Sequence, residues 1–283
     1  MARPYRSVLY IPAANTRAME KAQGLAADAI IFDLEDAVAP GEKATARDHL
    51  AAALRNDYGG RARIVRINGL ATEWGQGDAQ ACAGALAGHA DAVLIPKVDS
   101  AADLDRVAAL VPGTPLWAMM ETPLGMLNAA EIAAHPRLEG MVMGTNDLAK
   151  ELNSRFRADR LPMQAGLGLC LLAAKAHGKV IVDGVFNAFK DDEGLRAECE
   201  QGRDMGFDGK TLIHPAQLAI ANAAFAPTEA EIDLARRQIE AFDAAIAGGK
   251  AVAVVDGKIV ENLHVETARK TLDRAGAIAA MAG

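Results

Sequence analysis

The sequence predicts an α/β fold, a (β/α)8 TIM barrel carrying a C-terminal lid of helices and a hairpin. Three observations lead there. Eight short runs rich in apolar and β-branched residues recur within the first 215 positions. Longer, alanine-rich stretches with helical spacing separate them. The 283 residues suit one such barrel, typically about 250 residues, plus an appendage. Unbroken apolar runs bounded by glycine and polar residues fit strands buried on both faces, as in parallel sheets. A doubly wound open sheet is the alternative, since periodicity does not establish closure. The dinucleotide fingerprint of such sheets is missing, because PAANTR after the first run holds no glycine.

In order, the predicted strands cover residues 7–12, 29–35, 62–68, 92–98, 115–122, 138–147, 179–186 and 207–215. Their starts lie 22 to 41 residues apart, as (βα) units require. Among the helices, 16–25 follows Asn15, a suitable N-cap, and 42–55, 99–110 and 124–134 show helical spacing. The character changes near residue 226. Residues 229–246 read as a long helix ending at Gly248 and Gly249. Residues 251–255 and 258–260 form a hairpin around Asp256 and Gly257, and a helix over 265–280 closes the chain. The expected division is a catalytic barrel over 1–225 and a lid or oligomerisation appendage over 226–283.

Thirty Lys+Arg stand against 37 Asp+Glu, a formal net charge of −7. That balance argues against nucleic acid or an anionic membrane as the partner. Cys82, Cys170 and Cys199 have no metal-like spacing and read as reduced thiols. No apolar signal core follows the first residues, and no stretch approaches the ~20 apolar residues of a membrane helix. A cytoplasmic location is expected.

In a barrel the chemistry sits at the C-terminal ends of the strands. Polar residues stand near all eight: Tyr10; Asp33, Glu35 and Asp36; Arg66 and Asn68; Lys97; Glu121; Asp147; Asp183; Lys210 and His214. Glu121 and Asp147 follow apolar strands, and converging carboxylates repel unless a cation separates them. An all-oxygen set with few protein ligands favours Mg²⁺; an ion pair with Lys97 or Arg66 is the alternative. Arg66 interrupts an apolar strand, where a guanidinium needs a partner such as Asp33 or Glu35, or an anionic substrate group. Lys97 either holds an anion or forms a Schiff base, a role its acidic neighbours disfavour.

The segments YIPAANTRAMEKA, FDLEDAVAPGEKATAR, VRINGL with TEWG, LIPKV, METPLG, GTNDLA and GFDGKTLIHPAQ occur in that order. Together they resemble the citrate lyase β-subunit-like branch of the HpcH/HpaI aldolase superfamily, across nearly the whole chain. That branch includes citryl-CoA, malyl-CoA and citramalyl-CoA lyases and malyl-CoA thioesterases. The resemblance implies a Mg²⁺-dependent barrel, usually a homotrimer or homohexamer, acting on a CoA thioester. It makes Glu121 and Asp147 the metal carboxylates and Arg66 the group that holds a substrate oxygen. It assigns CoA contacts to Lys21, with Asn15, Arg17 and Tyr10 as further candidates.

In such relatives the C-terminal appendage closes a neighbouring subunit's site with an aspartate. Here Glu261 stands at that position and Leu263 replaces a proline. With Arg66 and Asp33, Glu261 completes the catalytic candidates. The expected reaction is Claisen-type cleavage of a 3-hydroxyacyl-CoA to acetyl-CoA and a 2-oxoacid. The alternatives are a malyl-CoA thioesterase using the same site, and an acyl-carrier-dependent citrate lyase β subunit.

Overall fold

The computed structural model describes residues 3–282. Eight parallel strands close into a barrel in sequence order, the last pairing with the first. They are β1 (Ser7–Pro12), β2 (Ala29–Asp33), β3 (Ala62–Arg66), β4 (Ala92–Ile95), β5 (Leu116–Met120), β6 (Leu138–Met143), β7 (Val180–Asp183) and β8 (Gly209–Leu212). The predicted barrel is therefore the observed one.

Strand periodicity explains the continuous apolar runs. Val8, Ala29, Ile31, Ala62, Ile64, Leu94, Trp117, Met119, Val142 and Val182 form a core made almost wholly of strand residues, the barrel interior. Their neighbours Leu9, Ile11, Ile30, Phe32, Val65, Val93 and Ile95 pack with helix residues in the layer outside. Successive side chains point to opposite faces, so both faces of each strand must be apolar. Trp117 fills the interior opposite Gly140, its register partner. A β-carbon at Gly140 would meet the indole at 2.6 Å, so only glycine leaves room for that ring.

The strands end earlier than predicted in several places. The sixth stops at Met143, and Asp147 lies in the first turn of the helix Thr145–Glu151. The predicted helix 124–134 is two short helices, Pro123–Leu127 and Ala129–Ala133, meeting at Asn128.

The chain divides into two compact units, one of Tyr5–Phe225 and one that includes everything from Ala226 onward. The second contains the helix Glu229–Ala247, an antiparallel pair β9 (Ala253–Val255) and β10 (Lys258–Val260), and the helix Asn262–Ala282. Asp256 and Gly257 join β9 to β10, both at positive φ (50° and 72°), as a two-residue type I′ turn requires. No helix among the described residues is long and apolar enough to cross a membrane.

Candidate active site

The interior ladder of the barrel continues by one more step into its mouth. Two residues beyond Val8, Ile31, Ile64 and Met119 come Tyr10, Asp33, Arg66 and Glu121. All four face a cavity of about 290 Å³, and Asp147 lines it too. The same pleat that buries the apolar residues thus aims these polar ones at a common point. Met119, Met143, Val185 and Ile213 supply apolar wall.

Strand register places Asp33 beside Arg66. The Asp33 carboxylate accepts from Arg66 Nε and Nη2, both at 2.7 Å. It also accepts from the backbone N–H groups of Glu35 at 2.9 Å and Ala37 at 3.0 Å. Four donors occupy both oxygens, so Asp33 fixes the guanidinium. The Arg66 guanidinium also lies over the Tyr10 ring, 5.0 Å from its centroid. Its Nη1 faces Glu35 at 2.9 Å and Asp36 at 3.3 Å. The Glu35 contact is close in distance but lacks hydrogen-bond geometry, which leaves Oε2 of Glu35 buried without a hydrogen-bond partner.

Glu121 follows β5 and is almost fully buried. Its Oε1 accepts the backbone N–H of Lys97 at 2.8 Å. Lys97 has a left-handed backbone (φ 48°), a strained setting for a non-glycine residue. Its ammonium stands 3.8 Å from Asp147. Glu121 packs against Gly144, where any β-carbon would collide with the Glu121 side chain. This explains the glycine of GTNDLA.

Burial pushes the Glu121 carboxyl from 4.5 up to about 7, with Asp147 adding to the rise and the Lys97 amide and nearby cations opposing it. Burial likewise takes Glu35 to about 8, against the pull of Arg66. Tyr10 is raised by burial as well. At Lys97, burial favours the neutral amine, but Asp147, Glu121, Glu35 and Asp36 outweigh it and hold the ammonium. A Schiff-base role for Lys97 therefore has no support here.

These shifts have a sign in stability. A carboxyl whose folded value lies above its unfolded one stabilises the fold fully below the unfolded value and loses that contribution as pH rises through the folded one. For Glu35 the window runs from 4.5 to about 8. Glu35→Gln is expected to match the parent protein in melting temperature near about pH 4.5 and to exceed it progressively by about pH 8.5. Melting curves across that range check the direction; a parent protein that gains on the variant with rising pH contradicts it.

Other predicted residues lie elsewhere. Asn15 caps the helix Thr16–Ala22, its Oδ1 accepting the Ala18 N–H at 3.0 Å; Arg17 and Lys21 are exposed on that helix. Asp183 and Lys210 do not face the mouth, a correction to the strand-end reading. Asp183 follows Val182 and so points outward, where a β-carbon at Gly202 would meet it at 3.0 Å. There it pairs with Lys210 at 3.0 Å and Arg160 at 2.7 Å. His214 caps a short 3₁₀ turn and stacks on Phe189, 4.8 Å between ring centroids. Glu261 is exposed in the second unit, directly after β10. The sequence reading missed Arg160 altogether, having no strand end to mark it.

Among the described residues no cluster of three or more His, Cys, Asp or Glu side chains is arranged to hold a metal. The mouth instead offers Glu121 and Asp147, an oxygen-only pair with a lysine ammonium beside it.

Comparison with known proteins agrees with this fold. The family model for HpcH/HpaI aldolase/citrate lyase matches residues 6–215, and that for the C–C bond lyases of the TIM-barrel fold matches 168–279. A (3S)-malyl-CoA thioesterase of Cereibacter sphaeroides is 74% identical over 280 residues, covering 99% of this chain and 97% of the relative. An L-malyl-CoA/β-methylmalyl-CoA lyase of the same species is 34% identical over 310 positions, covering 99% and 97%. The structure of CitE from Mycobacterium tuberculosis in complex with magnesium, acetoacetate and coenzyme A is similar at a TM-score of 0.79. It is 31% identical, with 97% of this chain and 98% of that one covered. The chain belongs to the HpcH/HpaI aldolase/citrate lyase family.

Proposed function

We propose that the chain is a thioesterase that hydrolyses a malyl-CoA-type 3-hydroxyacyl-CoA to the free acid and CoA. The observation that carries this is the 74% identity, end to end, with a (3S)-malyl-CoA thioesterase, against 34% with a malyl-CoA lyase. Carbon–carbon cleavage, the first reading of the sequence, becomes the second.

The mouth fits Mg²⁺. Its two carboxylates repel, burial disfavours the charge on Glu121, and a cation already faces Asp147. So few protein ligands, all oxygen, suit an ion that keeps water and substrate oxygens in its shell. Held by Glu121 and Asp147, Mg²⁺ would supply Lewis-acid polarisation and a template for substrate oxygens. Arg66, locked by Asp33 and lining the mouth, serves a substrate carboxylate or a developing oxyanion. In hydrolysis a water oxygen bonds to the thioester carbon, the C–S bond breaks, and the thiol leaves as CoASH. The apolar side chains of Met119, Met143, Val185 and Ile213 line the same cavity beside these polar groups. Lys21 and Arg17, exposed on the first helix, serve the anionic end of CoA.

Incubation of the purified chain with malyl-CoA and Mg²⁺ tests the reading: malate and free CoA are expected. Glyoxylate with acetyl-CoA as the main products returns the chain to the lyases, and no turnover without an acyl-carrier partner returns it to the citrate lyase β subunits.

Glu261 is assigned as the water-activating carboxylate of a neighbouring copy. It follows a hairpin whose Val254 and Ile259 form an exposed cross-strand pair, with exposed Leu263 nearby in sequence. Apolar faces of this kind pack against another surface. Chains carrying Glu261→Ala and chains carrying Arg66→Ala, each inactive alone, should regain activity when co-refolded. Failure to complement in mixed oligomers contradicts the assignment.

A further inference from the structure

Lys97 meets both carboxylates of the oxygen-only pair at once. It lies just beyond β4 at φ 48°, a backbone setting that costs free energy for any residue with a side chain. From there its N–H donates to Glu121 Oε1 at 2.8 Å, and its Nζ stands 3.8 Å from Asp147 Oδ1. The two contacts differ in kind. The first is a full hydrogen bond to a nearly buried carboxylate and aims that side chain. The second is too long for a hydrogen bond and is held by charge alone, from a lysine side chain that is 55% exposed.

The buried lysines of the barrel are tied differently. Lys43 donates to the carbonyls of Leu34 and Glu35 at 3.0 and 2.8 Å. Lys210 donates to Asp183 and Glu198 at 3.0 and 2.6 Å. Those ammonium groups are fixed by short, charge-assisted bonds. The ammonium of Lys97 has no such anchor at Asp147, although burial is outweighed by Asp147, Glu121, Glu35 and Asp36, which keep it charged. Its four-carbon stem can carry it into solvent without moving the backbone N–H that holds Glu121.

We propose that Lys97 is a positioning residue that tunes metal affinity: its ammonium competes with the divalent cation for Asp147, while its backbone N–H keeps Glu121 aimed. The inference rests on the reading of Glu121 and Asp147 as the metal carboxylates. An ammonium and a divalent ion at one carboxylate repel each other, so the lysine weakens the hold on the ion. In a mouth this open to solvent the repulsion amounts to about a factor of ten in affinity. The side-chain contact is the exchangeable half of Lys97 and the backbone contact the permanent one.

Titration of the full chain with Mn²⁺, followed by electron paramagnetic resonance of the free ion at a fixed, mildly alkaline pH, tests this. Lys97→Met keeps the N–H and most of the stem but not the charge, and should bind Mn²⁺ about tenfold more tightly than the parent. Lys97→Gly suits the positive φ, keeps the same N–H and should also bind more tightly. Lys97→Arg restores a cation and should bind no more tightly than the parent. Added Mn²⁺ should raise the melting temperature of Lys97→Met by more than it raises that of the parent. A lysine that serves only the fold, or only the substrate, would leave Mn²⁺ affinity unchanged or lowered in both neutral variants, and either result overturns the proposal. Mn²⁺ binding that is absent from the parent, or that Glu121→Gln leaves intact, removes the metal carboxylates themselves and this inference with them. Binding is read without turnover, so the outcome is independent of whether the reaction is hydrolysis or cleavage.

Discussion

Glu121→Gln should reduce thioester turnover about a thousandfold or more, while the folded protein stays as stable as the parent or becomes more stable. The two expectations have one cause. Glutamine keeps the shape and still accepts the Lys97 N–H through its carbonyl oxygen, so the link that positions the side chain survives. What disappears is a negative charge that burial and Asp147 both oppose, as the rise to about 7 shows. In metal-free protein near pH 8 that charge is a cost, and its removal is expected to raise the melting temperature slightly. With Mg²⁺ the order reverses, because a cation that binds only the folded state stabilises it by RT ln(1 + c/Kd), where c is the free Mg²⁺ concentration, and the variant has the larger Kd. Melting curves with and without Mg²⁺, beside turnover, check both. A variant that keeps its turnover, or that Mg²⁺ stabilises as much as the parent, is incompatible with Glu121 as a metal carboxylate.

Asp33→Ala is expected to be the most damaging single change to the fold at the site. It leaves the Arg66 guanidinium buried without its two-pronged partner, since Glu35 and Asp36 reach only Nη1. Breaking a buried pair from one side costs about 3–5 kcal/mol, roughly 6–20 °C in melting temperature for a domain this large. Arg66→Met alone should cost less, because Asp33 keeps its bonds from the Glu35 and Ala37 amides. The double variant Asp33→Leu with Arg66→Met should recover much of the stability of Asp33→Ala and none of the activity. Equal losses in all three proteins would mean that the pair does not act as a unit.

These two predictions rest on features of different legibility. The barrel was readable because both faces of each strand are apolar, and Val8 to Val182 could be aligned by run and spacing alone. The mouth residues were readable from strand-end position, and pleat parity sharpens the selection. Tyr10, Asp33, Arg66 and Glu121 continue the inward ladder, whereas Asp183 and Lys210 sit one step out of phase and join the helix layer. The strand-end rule alone admitted all six. The sixth strand was extended to Asp147 because MVMGTND has no obvious break, yet Gly144 ends it and the chain turns into a helix. Arg160 had no sequence signal, because its partners Asp183 and Gln201 are 23 and 41 positions away. Long-range pairing of buried charges appears only once the chain is folded.

The most direct test of the hydrolase assignment is isotopic. Malyl-CoA is incubated with the protein and Mg²⁺ in ¹⁸O-labelled water, and the acid products are weighed by mass spectrometry. Hydrolysis at the thioester predicts malate carrying one ¹⁸O in a carboxylate, with CoA released in equal amount and no acetyl-CoA at any time. Glyoxylate and acetyl-CoA that appear first, with free CoA only later or not at all, would contradict it.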